Sequence, residues 1–265
     1  MKLFFRKYGS GPPLIILHGL YGSSDNWVSF AKSISDRFTV YLPDQRNHGQ
    51  SPHSDIHDYT SMKEDLFEMA EELGLDRFFL AGHSMGGRTA MAFALSWPER
   101  LCGLVIIDIT PLSSDEKYTE AYLAHSRILD SMLSLKLEEL KSRDEIDAML
   151  SQTIDSESTR GFIMKNLRRL PGDKFAWKLN VPVLKDKLKE ITRGIEPGKS
   201  DFREVSGFPV IILKGEDSAY ISPEDYPAIM KPFPEAEFEI IPGSGHWIHA
   251  DNPEALRKSF LRLRA

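Results

Sequence analysis

The sequence predicts an α/β protein with a mostly parallel central sheet and an inserted helical segment, on three observations. Short continuous apolar runs such as residues 14–17 alternate with helix-like segments, as expected for strands buried on both faces of a parallel sheet. This alternation stops near residue 113 and resumes near residue 205. A further apolar run, residues 78–81, leads through a glycine-flanked serine into a segment that favours a helix.

The composition limits the classes of protein to which the chain can belong. Its 265 residues are 41% hydrophobic and 27% charged, which is typical of a globular protein with a sizeable core. A formal net charge of −6 argues against a nucleic-acid surface, which needs dense positive charge. The single cysteine, Cys102, excludes an internal disulfide and an all-cysteine metal site. We expect one compact unit with no metal, no other cofactor and no nucleic-acid partner, whereas the oligomeric state stays open.

The amino-terminal residues do not predict a secretory signal. Residues 1–7 contain too few apolar residues before the next charge to form a signal-peptide core. No stretch of the sequence approaches the roughly 20 apolar residues needed to span a bilayer. We therefore expect a cytoplasmic protein without membrane insertion.

The predicted elements follow in order along the chain. Each predicted strand is a short apolar, aromatic or β-branched run bounded by turn residues, such as the Gly- and Pro-rich residues 9–13 after the first one. The last helix has Asn252 as its cap and Pro253 at its first position. We expect strands at 3–8, 14–17, 38–42, 77–81, 101–107, 208–213 and 238–241, and helices at 26–34, at 59–73, from Ser84 onward and at 252–263.

The segment from residue 113 to residue 204 differs from the rest of the chain. No run typical of a buried strand interrupts it, and helices are expected at 116–133, 137–150, 158–170 and 181–191. The sequence therefore predicts a helical cap at 113–204, inserted between two core segments at 1–112 and 205–265.

The pattern Gly82-x-Ser84-x-Gly86 predicts a nucleophile elbow. In such an elbow, glycines leave room for a strained turn that exposes the serine hydroxyl at the carboxyl end of a strand. The pattern by itself is weak, since it occurs by chance in about one chain of this length in ten. The buried-type strand before Ser84 and the helical pattern after it favour the nucleophile over an ordinary glycine-rich turn.

Acyl transfer also needs a base, a group that holds this base in the right tautomer, and donors for the oxyanion. His246 is the candidate base, because it lies on a glycine-rich loop after the last predicted strand. The backbone amides of Leu20 and Met85 are the candidate oxyanion donors, although the loop that carries Leu20 can also be a plain strand-to-helix connection. Two carboxylates, Asp108 and Asp217, end predicted strands in the right region, and both are candidate acids.

Several motifs together resemble the α/β-hydrolase superfamily. They are Gly82-His83-Ser84-Met85-Gly86-Gly87, His18-Gly19, Asp44-x-Arg46-x-His48-Gly49-x-Ser51 and Gly245-His246-Trp247. Within it, the chain is most similar to small bacterial esterases often labelled YbfF and to related mitochondrial abhydrolase-domain proteins. Three segments carry that closer likeness, Asp44-Gln45-Arg46-Asn47-His48-Gly49, Ile107-Asp108-Ile109-Thr110-Pro111 and Trp177-Lys178-Leu179-Asn180.

The resemblance bears on the choice of acid. In most of the superfamily the acid follows the later strand, three residues after a glycine, where this chain has Ser218, with Asp217 one residue early. In the closer group the acid follows the earlier strand, where this chain has Asp108. The resemblance therefore implies Asp108, with Asp217 as the alternative.

The expected substrate is a small carboxylic ester or acyl-thioester of short to medium chain length, as the resemblance implies. We expect a pocket between the cap and the elbow, lined by cap residues and by His18. Each residue also has a structural explanation, because the cap needs a small apolar core of its own and His18 can be a buried histidine whose nitrogens are hydrogen-bonded within the protein. Those cap residues are Phe162, Met164, Phe175 and Trp177. The alternatives are a lyase or cofactor-free peroxidase on the same fold, and a receptor that turns over slowly.

Overall fold

Strands and helices alternate along most of the described chain, residues 1–195 and 204–263 of a computed structural model. The strands are β1 (Phe5–Tyr8), β2 (Pro13–Leu17), β3 (Thr39–Pro43), β4 (Phe78–His83), β5 (Leu101–Ile107), β6 (Leu167–Leu170), β7 (Lys174–Trp177), β8 (Val210–Gly215) and β9 (Glu237–Ile241). The helices are α1 (Val28–Ser33), α2 (Tyr59–Glu72), α3 (Met85–Ser96), α4 (Asp115–Ser134), α5 (Arg143–Leu150), α6 (Glu157–Met164), α7 (Val181–Asp186), α8 (Leu188–Arg193), α9 (Tyr226–Met230), α10 (Ile248–Asp251) and α11 (Pro253–Phe260). None of these helices is long and apolar enough to cross a membrane.

The central sheet has the order β1-β3-β2-β4-β5-β8-β9. Strand β1 pairs antiparallel with β3, and the other neighbours pair in parallel. This arrangement confirms the predicted fold class. Because the carboxyl ends of parallel strands meet at one edge, the loops after β2, β4, β5, β8 and β9 all open there.

Strand β4 lies at the centre of the sheet, and all six of its residues are buried. Its side chains alternate between two apolar clusters, since successive residues of a strand point to opposite faces. Phe78 and Leu80 pack into the cluster that includes α2 and α3. Phe79 packs into the opposite cluster, where its ring lies 5.6 Å from that of Phe38. The continuous apolar run therefore reflects helices that cover both faces.

The segment between β5 and β8, called the insertion below, contains a β-hairpin that the sequence analysis did not predict. The helix expected at 158–170 ends at Met164, and β6 pairs antiparallel with β7. Gly172 and Asp173 form the turn at φ values of 78° and 58°, which lie in the left-handed region. The Pro-Gly-Asp tripeptide at 171–173 was the sequence signal for this turn.

Two other expected helices of the insertion also differ from the structure. The helix expected at 137–150 starts at Arg143, where Ser142 accepts a hydrogen bond from the amide of Glu145 as its cap. The helix expected at 181–191 is divided at Lys187 into α7 and α8. Residues 196–203 of the predicted cap lie outside the described residues.

Arg88, in helix α3, connects the segments by which the chain enters and leaves the insertion. Its side chain is only 3% exposed. On the entering segment, Nε donates to the carbonyl of Thr110 at 3.0 Å and Nη2 to the hydroxyl of Ser113 at 2.7 Å. On the leaving segment, Nη1 donates to the carbonyls of Ile191 and Thr192 at 2.8 and 2.9 Å. One buried guanidinium therefore holds both ends of the insertion against the core.

We expect Arg88→Met to lower the free energy of unfolding by about 3 kcal/mol or more, measured by urea denaturation. The substitution removes four hydrogen bonds donated by a buried guanidinium, and a hydrogen bond to a charged group contributes roughly 1.5–3 kcal/mol. The matched control is Arg262→Met, because Arg262 is half exposed and pairs with Glu237 and Glu239 at the surface. The control should lose less than about 1 kcal/mol. Equal losses in the two variants would contradict the role assigned to Arg88.

Candidate active site

Ser84 occupies the sharp turn between β4 and α3. Its φ is 53°, a left-handed value that is strained for a residue with a side chain, and its amide donates to the carbonyl of Ile107 at 3.1 Å. The flanking glycines are required by close packing. A Cβ at position 82 would lie 2.2 Å from the carbonyl oxygen of Gly86, and one at position 86 would lie 2.5 Å from that of His18. The chain around Ser84 thus has the geometry expected of a nucleophile elbow.

Asp108 and His246 are hydrogen-bonded to each other at the same edge of the sheet. Asp108 follows β5 and is completely buried, and its Oδ2 lies 2.7 Å from Nδ1 of His246. The other oxygen, Oδ1, accepts the backbone amide of Gly215 at 3.1 Å. The hydroxyl of Ser218 donates to Oδ2. The partners that hold the carboxylate therefore come from β8, from the loop after β8 and from the loop after β9.

Asp217 lies away from this arrangement. Its side chain is exposed, and its amide donates to the carbonyl of Ser244 at 2.9 Å. The neighbouring residue, Ser218, contacts the carboxylate of Asp108 instead. Of the two candidate acids, the structure brings only Asp108 into contact with His246.

Tyr220 packs directly against the imidazole of His246, a contact that the sequence analysis missed. The two rings are stacked, with centroids 3.7 Å apart and an interplanar angle of 15°. Burial, followed by the negative charge of Asp108, raises the pKa of the Tyr220 hydroxyl. The tyrosine is therefore neutral at pH 7, and its ring shields one face of the imidazole from water. The only sequence signal was its place in the loop after β8, close to the two candidate acid positions.

His83 supports the loop that carries His246. Its Nε2 lies 2.7 Å from the carbonyl oxygen of His246, and because a carbonyl can only accept, Nε2 carries the proton. Burial lowers the pKa of His83 well below its usual value, and nearby His246 and His249 lower it further. His83 is therefore a neutral donor beneath the site, as expected for a residue that points away from its neighbour Ser84.

A cavity of about 410 Å³ lies between the core and the insertion, and both Ser84 and His246 border it. Its apolar wall includes Ile128, Phe162 and Trp247. The rings of Phe162, from the insertion, and Trp247, from the core, are 5.3 Å apart. The structure therefore places Phe162 on the wall of the cavity that the candidate nucleophile also borders.

A second cavity, of about 30 Å³, adjoins Ser84 on its inner side. Leu20, Met85 and His125 are among the residues that border it. Met85 is the first residue of α3, so its amide has no acceptor within the helix. The two residues that carry the candidate oxyanion donors thus border the same small cavity as Ser84.

The other three cap residues predicted for substrate binding, Met164, Phe175 and Trp177, are not among the described residues that border the 410 Å³ cavity. Met164 and Phe175 are buried in an apolar cluster that also includes Leu20 and Met85 of the core. Trp177 donates its indole N–H to the carbonyl of Met132 at 3.3 Å and borders a separate polar cleft. Hydrophobicity in a sequence indicates that a side chain is buried, but not which face of its element it occupies.

His18, the remaining residue predicted for substrate binding, is held by the protein itself. Its Nε2 accepts the backbone amide of Gln45 at 2.9 Å, so Nδ1 carries the proton and donates to the carbonyl of Gly19 at 2.9 Å. Both ring nitrogens therefore have partners within the protein. His18 is not among the described residues that border the 410 Å³ cavity.

The chain matches the profile of the alpha/beta hydrolase fold over residues 12–253. The chain belongs to the α/β-hydrolase family. Among its relatives are the sn-1-specific diacylglycerol lipase ABHD11 of Danio rerio and esterase YbfF of Escherichia coli. The first is 36% identical over 248 residues, 92% of this chain and 76% of the relative. The second is 29% identical over 250 residues, 94% of this chain and 92% of the relative.

Among solved structures, a marine microorganism esterase has the same α/β-hydrolase architecture along its whole length. It aligns with a TM-score of 0.93 and 42% sequence identity, and the match covers 100% of both chains. The similarity therefore extends through the insertion as well as the core. It agrees with the resemblance to small bacterial esterases that the sequence motifs indicate.

Buried neutral histidines make the stability of this hydrolase depend on pH. Desolvation is the main cause of their lowered pKa values, which are about 3 for His57 and about 4 for His125 and His249. In the unfolded chain a histidine titrates near pH 6.5. Below that pH the unfolded chain binds protons that the folded protein excludes, so stability falls. The group comprises His18, His48, His57, His83, His125 and His249.

We expect the free energy of unfolding to have its full value above about pH 6.5 and to fall steeply as the pH is lowered toward 4–5. Each histidine that stays neutral contributes a slope of about 1.4 kcal/mol per pH unit. Urea denaturation at several pH values between about 8 and 5 measures this slope. His57→Gln should make the slope shallower by one histidine's share. A profile that is flat from pH 7 to pH 5 would refute this explanation.

Proposed function

We propose that this chain is a serine hydrolase that cleaves carboxylic esters through an acyl-enzyme. The observation that carries the proposal is the hydrogen bond from His246 to the buried Asp108, at a cavity that Ser84 also borders. A strained serine, an imidazole and an orienting carboxylate are the parts that acyl transfer requires. Membership in the α/β-hydrolase family and the esterase and lipase relatives support the same bond type.

In this mechanism Ser84 attacks the carbonyl carbon of the ester while His246 takes the hydroxyl proton through Nε2. Asp108 holds the Nδ1–H and stabilises the imidazolium that forms. The tetrahedral intermediate then collapses, and His246 returns the proton to the leaving alcohol or thiol. A water molecule attacks the acylated Ser84 by the same sequence, which releases the acid and restores the serine.

The negative charge that develops on the carbonyl oxygen needs fixed donors. We assign this role to the backbone amides of Leu20 and Met85, which stand beside Ser84 on the loop after β2 and at the start of α3. The positive end of the α3 dipole also favours an anion at this point.

The substrates we propose are small esters and acyl-thioesters of short to medium chain length. The 410 Å³ cavity falls in the size range of small-molecule sites. Its wall around Ile128, Phe162 and Trp247 is apolar, which suits a hydrocarbon chain. In this proposal the insertion acts as a cap that covers the substrate.

The first test is release of nitrophenol from a chain-length series of nitrophenyl esters. We expect repeated turnover by the native protein and a loss of at least about a thousandfold with Ser84→Ala, because that variant lacks the nucleophile. A single stoichiometric burst would indicate a slow-turnover receptor. Turnover that survives in the variant would refute the serine mechanism.

The assignment of the acid has a separate test. Asp108→Asn should lower kcat by roughly four orders of magnitude, because the amide no longer holds the imidazole in the active tautomer. The matched control is Asp217→Asn, which should change kcat less than about twofold, since that side chain is exposed and away from His246. If the control variant is the one that loses activity, Asp217 is the acid and the assignment to Asp108 is wrong.

A further inference from the structure

Asn166 of the insertion forms a hydrogen bond with the core loop that follows β2. It lies between α6 and β6 and is only 3% exposed. Its Nδ2 donates to the carbonyl of Tyr21 at 2.7 Å and to that of Ile163 at 3.2 Å. Because a carbonyl oxygen can only accept, the atom of the Asn166 amide that faces both carbonyls is the nitrogen. The contact with Tyr21 therefore joins the insertion to the loop that also carries Leu20.

Tyr21 has a strained backbone in this loop. Its φ is 62°, in the left-handed region that is unfavourable for a residue with a bulky side chain. Such a conformation persists only where surrounding contacts hold it. The Tyr21 hydroxyl donates to the carbonyl of His125 at 3.4 Å, whereas the Tyr21 carbonyl accepts from Asn166 at 2.7 Å. Asn166 therefore makes the shorter of these two polar contacts between Tyr21 and the insertion.

Two peptide units connect this hydrogen bond to the Leu20 amide. In a trans peptide the carbonyl and the N–H point in opposite directions. The peptide unit whose carbonyl accepts from Asn166 has the Gly22 amide on its other side, and this amide donates to the carbonyl of Gly19 at 2.9 Å. The carbonyl of Gly19 belongs in turn to the peptide unit that carries the Leu20 N–H. A hydrogen bond at one end of this series thus helps to fix the direction of the Leu20 N–H at the other end.

The same turn packs closely against Ser84. A Cβ at position 19 would lie 3.1 Å from the Cβ of Ser84, so the backbone just before Leu20 is next to the candidate nucleophile. Leu20 and Ser84 also border the same 30 Å³ cavity. A change in the direction of the Leu20 N–H therefore acts at the place where the proposed mechanism forms the oxyanion.

We propose that Asn166 is a positioning residue that holds the turn at residues 19–22, so that the Leu20 N–H points at the carbonyl oxygen of the reacting ester. Each hydrogen bond in the series also polarises the next, which makes the Leu20 N–H a better donor. The insertion therefore contributes to stabilisation of the transition state as well as to the wall of the cavity. This inference rests on the proposed ester hydrolysis and on the donor role assigned to Leu20.

Asn180 provides the matched control, because it connects the insertion to another core loop in a similar way. Its Nδ2 donates to the side-chain oxygen of Asn47 at 3.0 Å, and Asn47 also has a left-handed φ, of 66°. Neither asparagine is among the described residues that border the two cavities at Ser84. Loss of this contact therefore alters the attachment of the insertion without reaching the oxyanion.

The first test compares turnover of nitrophenyl esters by Asn166→Leu and Asn180→Leu. We expect Asn166→Leu to lower kcat by about ten- to a hundredfold, because a misdirected oxyanion donor stabilises the transition state less. KM should change less than about threefold, since the interaction is made mainly in the transition state. Asn180→Leu should keep kcat within about twofold of the native value.

Inhibition by an alkyl trifluoromethyl ketone is a readout that a purely structural role would not change. Oγ of Ser84 adds to the ketone carbon, the hydroxyl proton passes to His246, and the ketone oxygen takes the π electrons and becomes an alkoxide where the oxyanion forms. The methyl ketone of the same chain length is the matched ligand, because it binds with little formation of this adduct. Asn166→Leu should weaken inhibition by the trifluoromethyl ketone about as much as it lowers kcat, and inhibition by the methyl ketone less than about threefold.

Two variants of Tyr21 test the same turn with Asn166 intact. Tyr21→Asn and Tyr21→Val both remove the aromatic ring. Asparagine tolerates a left-handed φ, whereas the β-branched valine is strained there. We therefore expect kcat to be about tenfold lower, or less still, in Tyr21→Val than in Tyr21→Asn.

The outcomes separate this inference from the proposed function. Native turnover that is lost with Ser84→Ala establishes the serine mechanism independently of Asn166. Given that result, an unchanged kcat in Asn166→Leu, a lowered kcat with unchanged inhibition by the trifluoromethyl ketone, or an equal loss in Asn180→Leu overturns the role of Asn166. If Asn166→Leu does not fold, the same measurements on Asn166→Ala decide; if neither variant folds, equal kcat values in the two Tyr21 variants overturn it. If the native protein cleaves no ester, both proposals fail.

Discussion

The hydrogen bond between Asp108 and His246 depends on the packing of three neighbouring strand ends. Asp108 follows β5, His246 lies in the loop after β9, and the strand between them, β8, supplies the amide of Gly215 to the same carboxylate. A carboxylate that is completely buried is stable only when its oxygens have donors. The contact therefore requires the whole parallel edge of the sheet, and a shift of any one of these strands would separate the pair.

The loop after β8 supports the carboxylate of Asp108, the candidate acid that follows β5. Ser218 occupies the place where most of the superfamily has its acid, and here it donates its hydroxyl to Asp108. Two residues later, Tyr220 covers one face of the imidazole. The loop thus contributes support rather than charge, which explains why Asp217 can remain exposed one position away.

The insertion contributes to the site through contacts that cross between the two parts of the chain. Arg88 holds its entering and leaving segments, while Phe162 and His125 border the cavity that Ser84 also borders. An apolar cluster that joins the insertion residue Phe175 to Leu20 and Met85 of the core keeps the two parts packed together. The cavity is therefore a space left between two parts of the chain that share one apolar cluster.

The sequence by itself determined the sheet, the elbow and the order of the catalytic candidates. Continuous apolar runs predict strands that are covered on both faces. The glycines around Ser84 are needed because a Cβ at residue 82 would lie only 2.2 Å from the carbonyl oxygen of Gly86 in the next turn. The resemblance to small esterases then favoured Asp108. These features are local, so a short window of residues is sufficient to predict them.

Only the tertiary structure decided which polar groups meet. The stacking of Tyr220 on His246, the two partners of the His18 ring and the hydrogen bond from Asn166 to the loop after β2 depend on residues far apart in the chain. The same holds for Met164 and Phe175, whose burial was predictable but whose side of the insertion was not. The periodicity of apolar residues in a sequence indicates which side chains are buried. The direction in which each side chain points is set by packing between helices and strands.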